Sequence, residues 1–510
     1  MMMNEFIIGL GGVGGRSVQE FRRAVVRRKG DYASVCKQGA QFEYLYIDSN
    51  TDILDSAWRS EDGMSIALGA NQIIRLRSGH SLPNIEDIIK SPNIKPWIGD
   101  FLGMFSSRFK SRVSVNEVLN TTYGTAQLRR FGRMLFALNA NRIRNTIKQK
   151  LDYLNQERGV CTNFHIFCSL GGGTGSGCLV DLITLIKSIM HEEVMEDANI
   201  YVYAYVAGMK AEFYDLGSFY DNQYCTLRDL NALMVGAYQP FITGRSAVNE
   251  RDSYFNLPCP ITRVYLSSDL ADGCPNLTDQ VVSMTSSCFD SIIYKYKFSS
   301  IDCLRAISGE DIVEVTPGEQ GMKGDIARSY RFSTMGTAAW RVPMEQIDDS
   351  DEDKWETLLG DKVQELMANI RTGIRIRAED GLMFPLQSPV AAIVIGLPAE
   401  HKNPKLMEWV CKKLVASMPL EMAVLGGRID FYTHETPDEI RVLYVPYWFP
   451  CRFAAVTDFI ENKYRKTLEV NDISKIYFAN CDASGMDIDS EFNRPPLTTE
   501  WEKYEAGKRS

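Results

Sequence analysis

The run Leu170-Gly171-Gly172-Gly173-Thr174-Gly175-Ser176-Gly177 constrains this chain more than any other feature, because of what flanks it. Before it stands an apolar segment, Asn163 to Leu170, that reads as a strand; after it, Cys178 to Met190 reads as an amphipathic helix. A glycine-rich turn from strand into helix is a phosphate cradle. Without Cβ atoms the backbone passes close to a polyphosphate, its N–H groups converge on the anion, and the positive end of the helix dipole points the same way. Thr174 and Ser176 add hydroxyl donors. A sharp turn or a glycine linker is the plainer reading, and five glycines at a strand-to-helix junction count against it. A P-loop is a different object: it needs a Lys-Ser/Thr pair after its last glycine, whereas Cys178 follows here.

A second loop of the same kind stands near the start. Glu5 to Leu10 reads as a short strand running into Gly9-Leu10-Gly11-Gly12-Val13-Gly14-Gly15, and a helix follows from about Arg16 to Arg28. Gly9, Gly11 and Gly14 also satisfy G-x-G-x-x-G, so a Rossmann oxidoreductase using NAD or FAD is a competing reading. In such an enzyme an acid about 20 residues on would hold the ribose, and Asp48, at the end of the strand Phe42 to Ile47, lies well beyond that spacing. The second glycine loop also disfavours it.

Taken together, the glycine signature from Gly171 to Gly177 resembles the signature loop of the tubulin/FtsZ superfamily. The segment Ile47-Asp48-Ser49-Asn50-Thr51-Asp52 is similar to that family's second nucleotide-side loop, and Leu68-Gly69-Ala70-Asn71 resembles its third, with a plain turn as the alternative. Tyr123 to Arg133 opens a long helix leading to the signature loop; its arginines have two readings, contact with phosphates or a neighbouring subunit, and an exposed helical face. Further on come a strand Ile200 to Ala207, a helix Phe219 to Leu233 with Asn222, a strand Ile261 to Ser268 ending at Asp269, and a helix capped by Pro275 to Asp279. That helix, with Val281, Met284, Cys288 and Ile292 on one face, is similar to the family's long central helix. Phe332 to Ala339 resembles the strand that opens the family's second domain, and Val390–Leu397, Pro404–Met418, Arg428–Tyr432 and Glu439–Val445 give a β-α-β-β order. Residues 80–122 look like an insertion relative to FtsZ, and from Asp482 the chain is polar and reads as a tail.

The resemblance implies an α/β fold: a Rossmann-like parallel-sheet GTP-binding domain over residues 1–275, a central helix over 276–300, an α+β second domain over 301–450, and an extension and tail over 451–510. It implies that Gly11, Gly12, Val13 and Gly14, with Gly171, Gly172, Gly173, Thr174, Gly175, Ser176 and Gly177, hold the phosphates of GTP or GDP. Ala70 and Asn71 would join them, and Asp48 and Asn50 would lie near the ribose or a phosphate-bound Mg²⁺. No protein metal-ligand set is expected. Asn222, Asp269 and Asp279 fall where the family grips the base; a carboxylate accepts from the N1–H and N2–H₂ donors of guanine, which adenine lacks, and the alternative for each acid is a cap or a solvated strand end. Hydrolysis in the family is completed by acids of the next subunit. The family's wording of that loop is missing here, and Asp302 is the closest candidate, followed by Glu310 and Asp311. The expectation is a GTPase that polymerises head to tail into cytoskeletal filaments; the alternative within the fold is a GTP-binding switch or scaffold that has lost polymerisation or hydrolysis.

Composition agrees with a globular protein of two or three domains: 510 residues, 45% hydrophobic. The net charge of −9 argues against a nucleic-acid-wrapping surface. The local basic cluster Arg22, Arg23, Arg27, Arg28 and Lys29 closes a helix, where cations suit the dipole, and reads as a solvated face. The 12 cysteines show no Cys-x-x-Cys pairing, no apolar run reaches the ~20 residues of a span, and the first strand begins almost at once, so a cytoplasmic protein with reduced thiols is expected. Its partners would be copies of itself, with the tail available to a protein adaptor.

Overall fold

Seven successive buried residues, Asn4 to Leu10, make the strand β1 (Met3–Leu10), and all nine residues of its neighbour β4 (Cys161–Ser169) are buried. Strands buried on both faces belong to the centre of a parallel sheet covered by helices on either side. In this computed structural model the described residues are 3–50, 58–77, 129–154, 160–192, 198–206, 222–223, 226–227, 229–230, 233, 261–268, 276–297, 332–333, 335–341, 354–357, 360–361, 390–399, 404–416, 428–437 and 439–446. Asp269, Asp302, Glu310, Asp311, the insertion over 80–122 and everything after 446 lie outside them.

Around β1 and β4 the first sheet adds β2 (Gln41–Asp48), β3 (Ile73–Arg75), β5 (Asn199–Val206), β6 (Arg263–Ser268) and the two-residue β7 (Phe332–Ser333). The order is β3-β2-β1-β4-β5-β6-β7, and every pairing is parallel. Chain order therefore reverses between β1 and β4, which is the switch point where open α/β sheets bind ligands. The helices are α1 (Gly11–Arg27), α2 (Lys29–Lys37), α3 (Arg129–Leu154), α4 (Gly173–Glu192), α5 (Leu277–Lys297) and α6 (Pro404–Ala416). α1 and α5 lie on one face, locked by the edge-on contact of Phe21 with Phe289 at 5.4 Å. α3 covers the other, with Asn4 Nδ2 donating to Leu154 O at 3.2 Å and Lys150 paired to Glu43 at 2.8 Å. α4 is the one described helix long and apolar enough to cross a membrane, and 94% of that stretch is buried inside the protein.

The face beneath α5 is polar and aromatic. His165 and Glu5 are both fully buried, His165 Nε2 lies 2.6 Å from Glu5 Oε2, and its Nδ1 lies 3.0 Å from the Tyr203 hydroxyl. Burial holds the imidazole below its ordinary pKa despite the Glu5 carboxylate. The neutral ring then donates to Glu5 and accepts from Tyr203, satisfying both nitrogens.

A second sheet, order β10-β9-β11-β8, is built from β8 (Gly336–Arg341), β9 (Val390–Pro398), β10 (Arg428–His434) and β11 (Glu439–Pro446). The expected β-α-β-β order is present, with α6 between β9 and β10. The expected strand Phe332 to Ala339 is instead two strands: β7 closes the first sheet and β8 opens the second. Asp290 of α5 joins the two sheets. It is fully buried, accepts from Arg441 Nε of β11 at 2.9 Å and from Thr337 Oγ1 of β8 at 2.8 Å, and also pairs with Arg28 at the end of α1. Burial raises the Asp290 carboxyl, but Arg441 and Arg28 outweigh it and hold it well below the usual carboxylate range.

Arg28 therefore corrects the solvated reading of the basic cluster. Its neighbours are also engaged: Arg22 Nε donates to Ile66 O at 2.5 Å, Arg23 Nε to Arg59 O at 3.3 Å, and Arg27 pairs with Glu20 and Glu61. The arginines of α1 pin residues 58–66 onto the helix.

Candidate nucleotide crevice

Both glycine runs begin their helices sooner than the sequence pattern indicates. α1 starts at Gly11, immediately after β1, and α4 at Gly173, beyond the three residues Leu170 to Gly172 that follow the adjacent strand β4. Gly12, Val13 and Gly14, like Thr174, Gly175, Ser176 and Gly177, thus form first helical turns, and only Leu170 to Gly172 is loop. Gly11 has φ +73°, a left-handed value that favours glycine, and a Cβ there would stand 3.0 Å from Gly175 N. The two N-termini meet at the switch point. No side chain caps α1, and neither helix has an acid in its first turn, so the orphan N–H donors of the first turns are open to an anion.

The glycines divide into two groups. A Cβ on Gly14 would lie 2.4 Å from Phe167 O, one on Gly175 2.6 Å from Ser169 O, and one on Gly177 2.2 Å from Arg129 O; these three make room for protein backbone. A Cβ on Gly172 would meet nothing within 4 Å. Gly12, Val13 and Gly172 are part-exposed while Gly11, Gly14, Gly171, Gly173 and Thr174 to Gly177 are buried, so the crevice floor is narrow.

Asp48 turns inward. Its carboxylate accepts from the Tyr46 hydroxyl at 2.6 Å, Ser49 N at 2.6 Å and Asn50 N at 3.2 Å. Burial pushes its carboxyl above the ordinary value, with those hydrogen bonds pulling the other way. It shapes the turn that brings Ser49 Oγ to 2.7 Å from Thr174 Oγ1, a hydroxyl pair joining the β2 exit to α4. Asn50 follows, part-exposed. Ala70 and Asn71 are not brought to the rim. They are exposed residues of a 3-10 turn that leads into β3, and the adjacent Gln72 Nε2 donates to Glu43 Oε1 at 2.7 Å, low on β2. The segment leaving β3 at the rim is Leu76-Arg77, with Leu76 N donating to Asp48 O at 2.8 Å. A turn entering a parallel strand cannot sit at its carboxyl end, and the sequence wording misplaces this loop by one strand.

Asn222 is fully buried, and its Nδ2 donates to Gly171 O at 3.0 Å; Thr226 Oγ1, one turn on, donates to Leu170 O at 3.3 Å. Asp279 sits in the first turn of α5, half-buried, where its N–H donates to Asn276 Oδ1 at 3.0 Å and its Oδ2 accepts from Asn276 Nδ2 at 2.7 Å, a reciprocal cap. Among the described residues no group of three His, Cys, Asp or Glu could hold a metal ion.

For Arg129 and Arg133 of α3 both sequence readings are overturned, since these two are buried ion-pair partners rather than exposed or ligand-facing. Arg133 forks onto Asp181 of α4 through Nε at 2.7 Å and Nη2 at 3.0 Å, and Arg129 pairs with Asp229. Gly132 between them would bring a Cβ to 2.2 Å from Gly173 O. A glycine inside a helical pattern was the sequence signal for this close crossing.

Fold and crevice together define a two-domain α/β protein with paired helix N-termini at the switch point of its parallel sheet. A family comparison matches residues 6–356 to the family described as tubulin like, and the chain belongs to it. No curated protein sequence matches. Among solved structures, CetZ2 from Haloferax volcanii, a GTPgS bound protofilament, is 11% identical with a TM-score of 0.48 over 91% of this chain and 99% of that one. CetZ from Methanosaeta thermophila is 12% identical, TM-score 0.46, over 92% and 94%. TubZ from Bacillus thuringiensis serovar israelensis, as a protofilament, is 10% identical, TM-score 0.42, over 91% and 92%.

Proposed function

We propose that this chain binds GTP and GDP in the crevice at the β1/β4 switch point, assembles head to tail into cytoplasmic filaments, and hydrolyses GTP at the contact between subunits. The observation that carries the reading is the meeting of two helix N-termini without an acid in their first turns, at Gly11 and Gly173, beside the open face of Gly172. The residues fit a polyphosphate: first-turn N–H groups of Gly12 and Val13 and of Gly173 to Gly175 supply donors, Ser176 N being already bonded to Gly172 O at 3.1 Å, and both helix dipoles favour the charge. Asn50 stands at the ribose side, and Mg²⁺, where it takes part, is held chiefly by the phosphates. Asp279 and Asp269 read the guanine edge, Asn276 holding one oxygen of Asp279 in place.

In this reading residues 1–275, with β7 returning to their sheet, form the nucleotide domain; 276–300 are the central helix, 301–450 the second domain, and 451–510 the extension whose tail meets an adaptor. Asp302 follows α5, which runs 21 residues from the crevice rim. At 1.5 Å per residue that is roughly 30 Å, so the acid acts on the nucleotide of the next subunit. Unlike surfaces meeting head to tail give open filaments. The test is GTP turnover per subunit against protein concentration, followed with light scattering: turnover rises with assembly, and Asp302→Ala binds and assembles but hydrolyses slowly. Turnover independent of concentration refutes catalysis in trans.

A further inference from the structure

Asn222, Thr226 and Asp229 are spaced i, i+4 and i+7, one face of a helical segment. Asn222 holds Gly171 O and Thr226 holds Leu170 O, so this face grips the entrance of the signature loop. Asp229 accepts from Arg129 Nη2, and Arg129 Nε donates to Ser176 O at 3.2 Å, in the first turn of α4. One guanidinium therefore ties the segment gripping the entrance of the loop to the helix turn at its exit. Arg129 is 2% exposed and Asp229 1%. Gly177 permits the same close crossing of α3 and α4, since a Cβ there would meet the Arg129 carbonyl oxygen at 2.2 Å.

We propose that Arg129 and Asp229 are positioning residues of the nucleotide site, setting the geometry of the Leu170–Gly172 loop and the first turn of α4 from beneath and so governing affinity. The inference rests on the nucleotide-binding reading above. Breaking a buried pair by removing one partner destabilises strongly, whereas replacing both by apolar residues is often neutral. Stability and positioning are thereby separable.

Burial raises the Asp229 carboxyl to about 6, with Arg129 and Arg133 of α3 lowering it and Asp181 of α4 adding to the rise. Protonation below that value removes the charge that holds Arg129. Nucleotide affinity should then fall in mild acid through Asp229.

The experiment compares wild type, the double variant Arg129→Met/Asp229→Leu, Arg129→Lys and Asp229→Asn. A fluorescent GTP analogue reads Kd and urea unfolding reads stability. The double variant is expected to keep the wild-type unfolding midpoint and bind at least tenfold more weakly, with Arg129→Lys, which keeps the charge but not the fork, in between. Between pH 7.5 and 5.5 wild type loses more affinity than Asp229→Asn, which decides the matter if the double variant does not fold. A folded double variant with wild-type Kd, or coincident pH profiles, overturns the proposal while leaving nucleotide binding intact. Wild type that binds no guanine nucleotide at either pH removes both.

Discussion

Substituting Gly172 and Gly175 separately should divide binding from folding within a single loop. A Cβ at Gly175 would lie 2.6 Å from Ser169 O, about 0.8 Å short of ordinary contact at 3.4 Å, and the obstacle is strand backbone with no rotamer to yield. Overpacking of this kind costs roughly 1–3 kcal/mol. Gly172 has no heavy atom within 4 Å of its would-be Cβ, so Gly172→Ala leaves stability unchanged or raises it by about 0.4–1 kcal/mol through the unfolded chain. In the ligand-bound protein that methyl group competes with a phosphate, and GTP affinity drops at least tenfold. Urea unfolding and titration with a fluorescent GTP analogue read the two effects on the same samples. Gly172→Ala binding like wild type, or Gly175→Ala as stable as wild type, refutes the division of the glycines.

Asp290→Ala should cost about 3–5 kcal/mol, because Arg28 and Arg441 are left buried without their shared acceptor; a loss below 1 kcal/mol by urea unfolding counts against the two-sheet tie. The Asp290 carboxyl is held low in the fold, so its contribution is present at neutral pH and is lost only as pH falls below the unfolded value of about 4 toward the folded one. His165 and His434 are shifted down, chiefly by burial, so the unfolded chain binds more protons below about pH 6.5 and stability should fall as pH drops through that point. His434→Leu, removing a buried ring whose nitrogens have no hydrogen-bond partner among the described residues, should flatten that fall while costing little at pH 7.5; an unchanged slope contradicts it. Asp279→Ala should lose about 1–3 kcal/mol of GTP affinity with little change for ATP, and a variant that loses only helix stability returns the residue to capping α5.

Elements with strong local patterns were legible in the sequence: the strands of both sheets except the three-residue β3 and the break between β7 and β8, α5, and the placing of two glycine runs at strand ends. The starts of α1 and α4 were not, because glycine disfavours the helix by propensity, and the turns at Gly11 and Gly173 are helical through packing against the sheet and, for α4, against α3. The roles of Arg129, Arg133 and Arg28 were illegible for a related reason. A cation in an amphipathic pattern looks solvated until its partner, Asp181, Asp229 or Asp290, arrives from 48, 100 or 262 residues away. Asp48 read as a ligand acid because it ends a strand at the crevice, yet the hydroxyl of Tyr46 two residues earlier already claims it. The turn at Ala70 and Asn71 was misplaced because a short string of small residues resembles a loop wherever it occurs, and only strand order says which end of the sheet it occupies.

The identity of the nucleotide that travels with the purified chain decides whether the β1/β4 crevice is a guanine-nucleotide site. Denaturing the protein and separating the released small molecules by chromatography, with affinities for GTP, ATP and NAD measured on the emptied protein, leaves little room for reinterpretation. GDP or GTP should be released at close to one per chain, and the emptied protein should strongly prefer GTP over the other two. Release of a dinucleotide, or equal affinity for GTP and ATP, would contradict that reading.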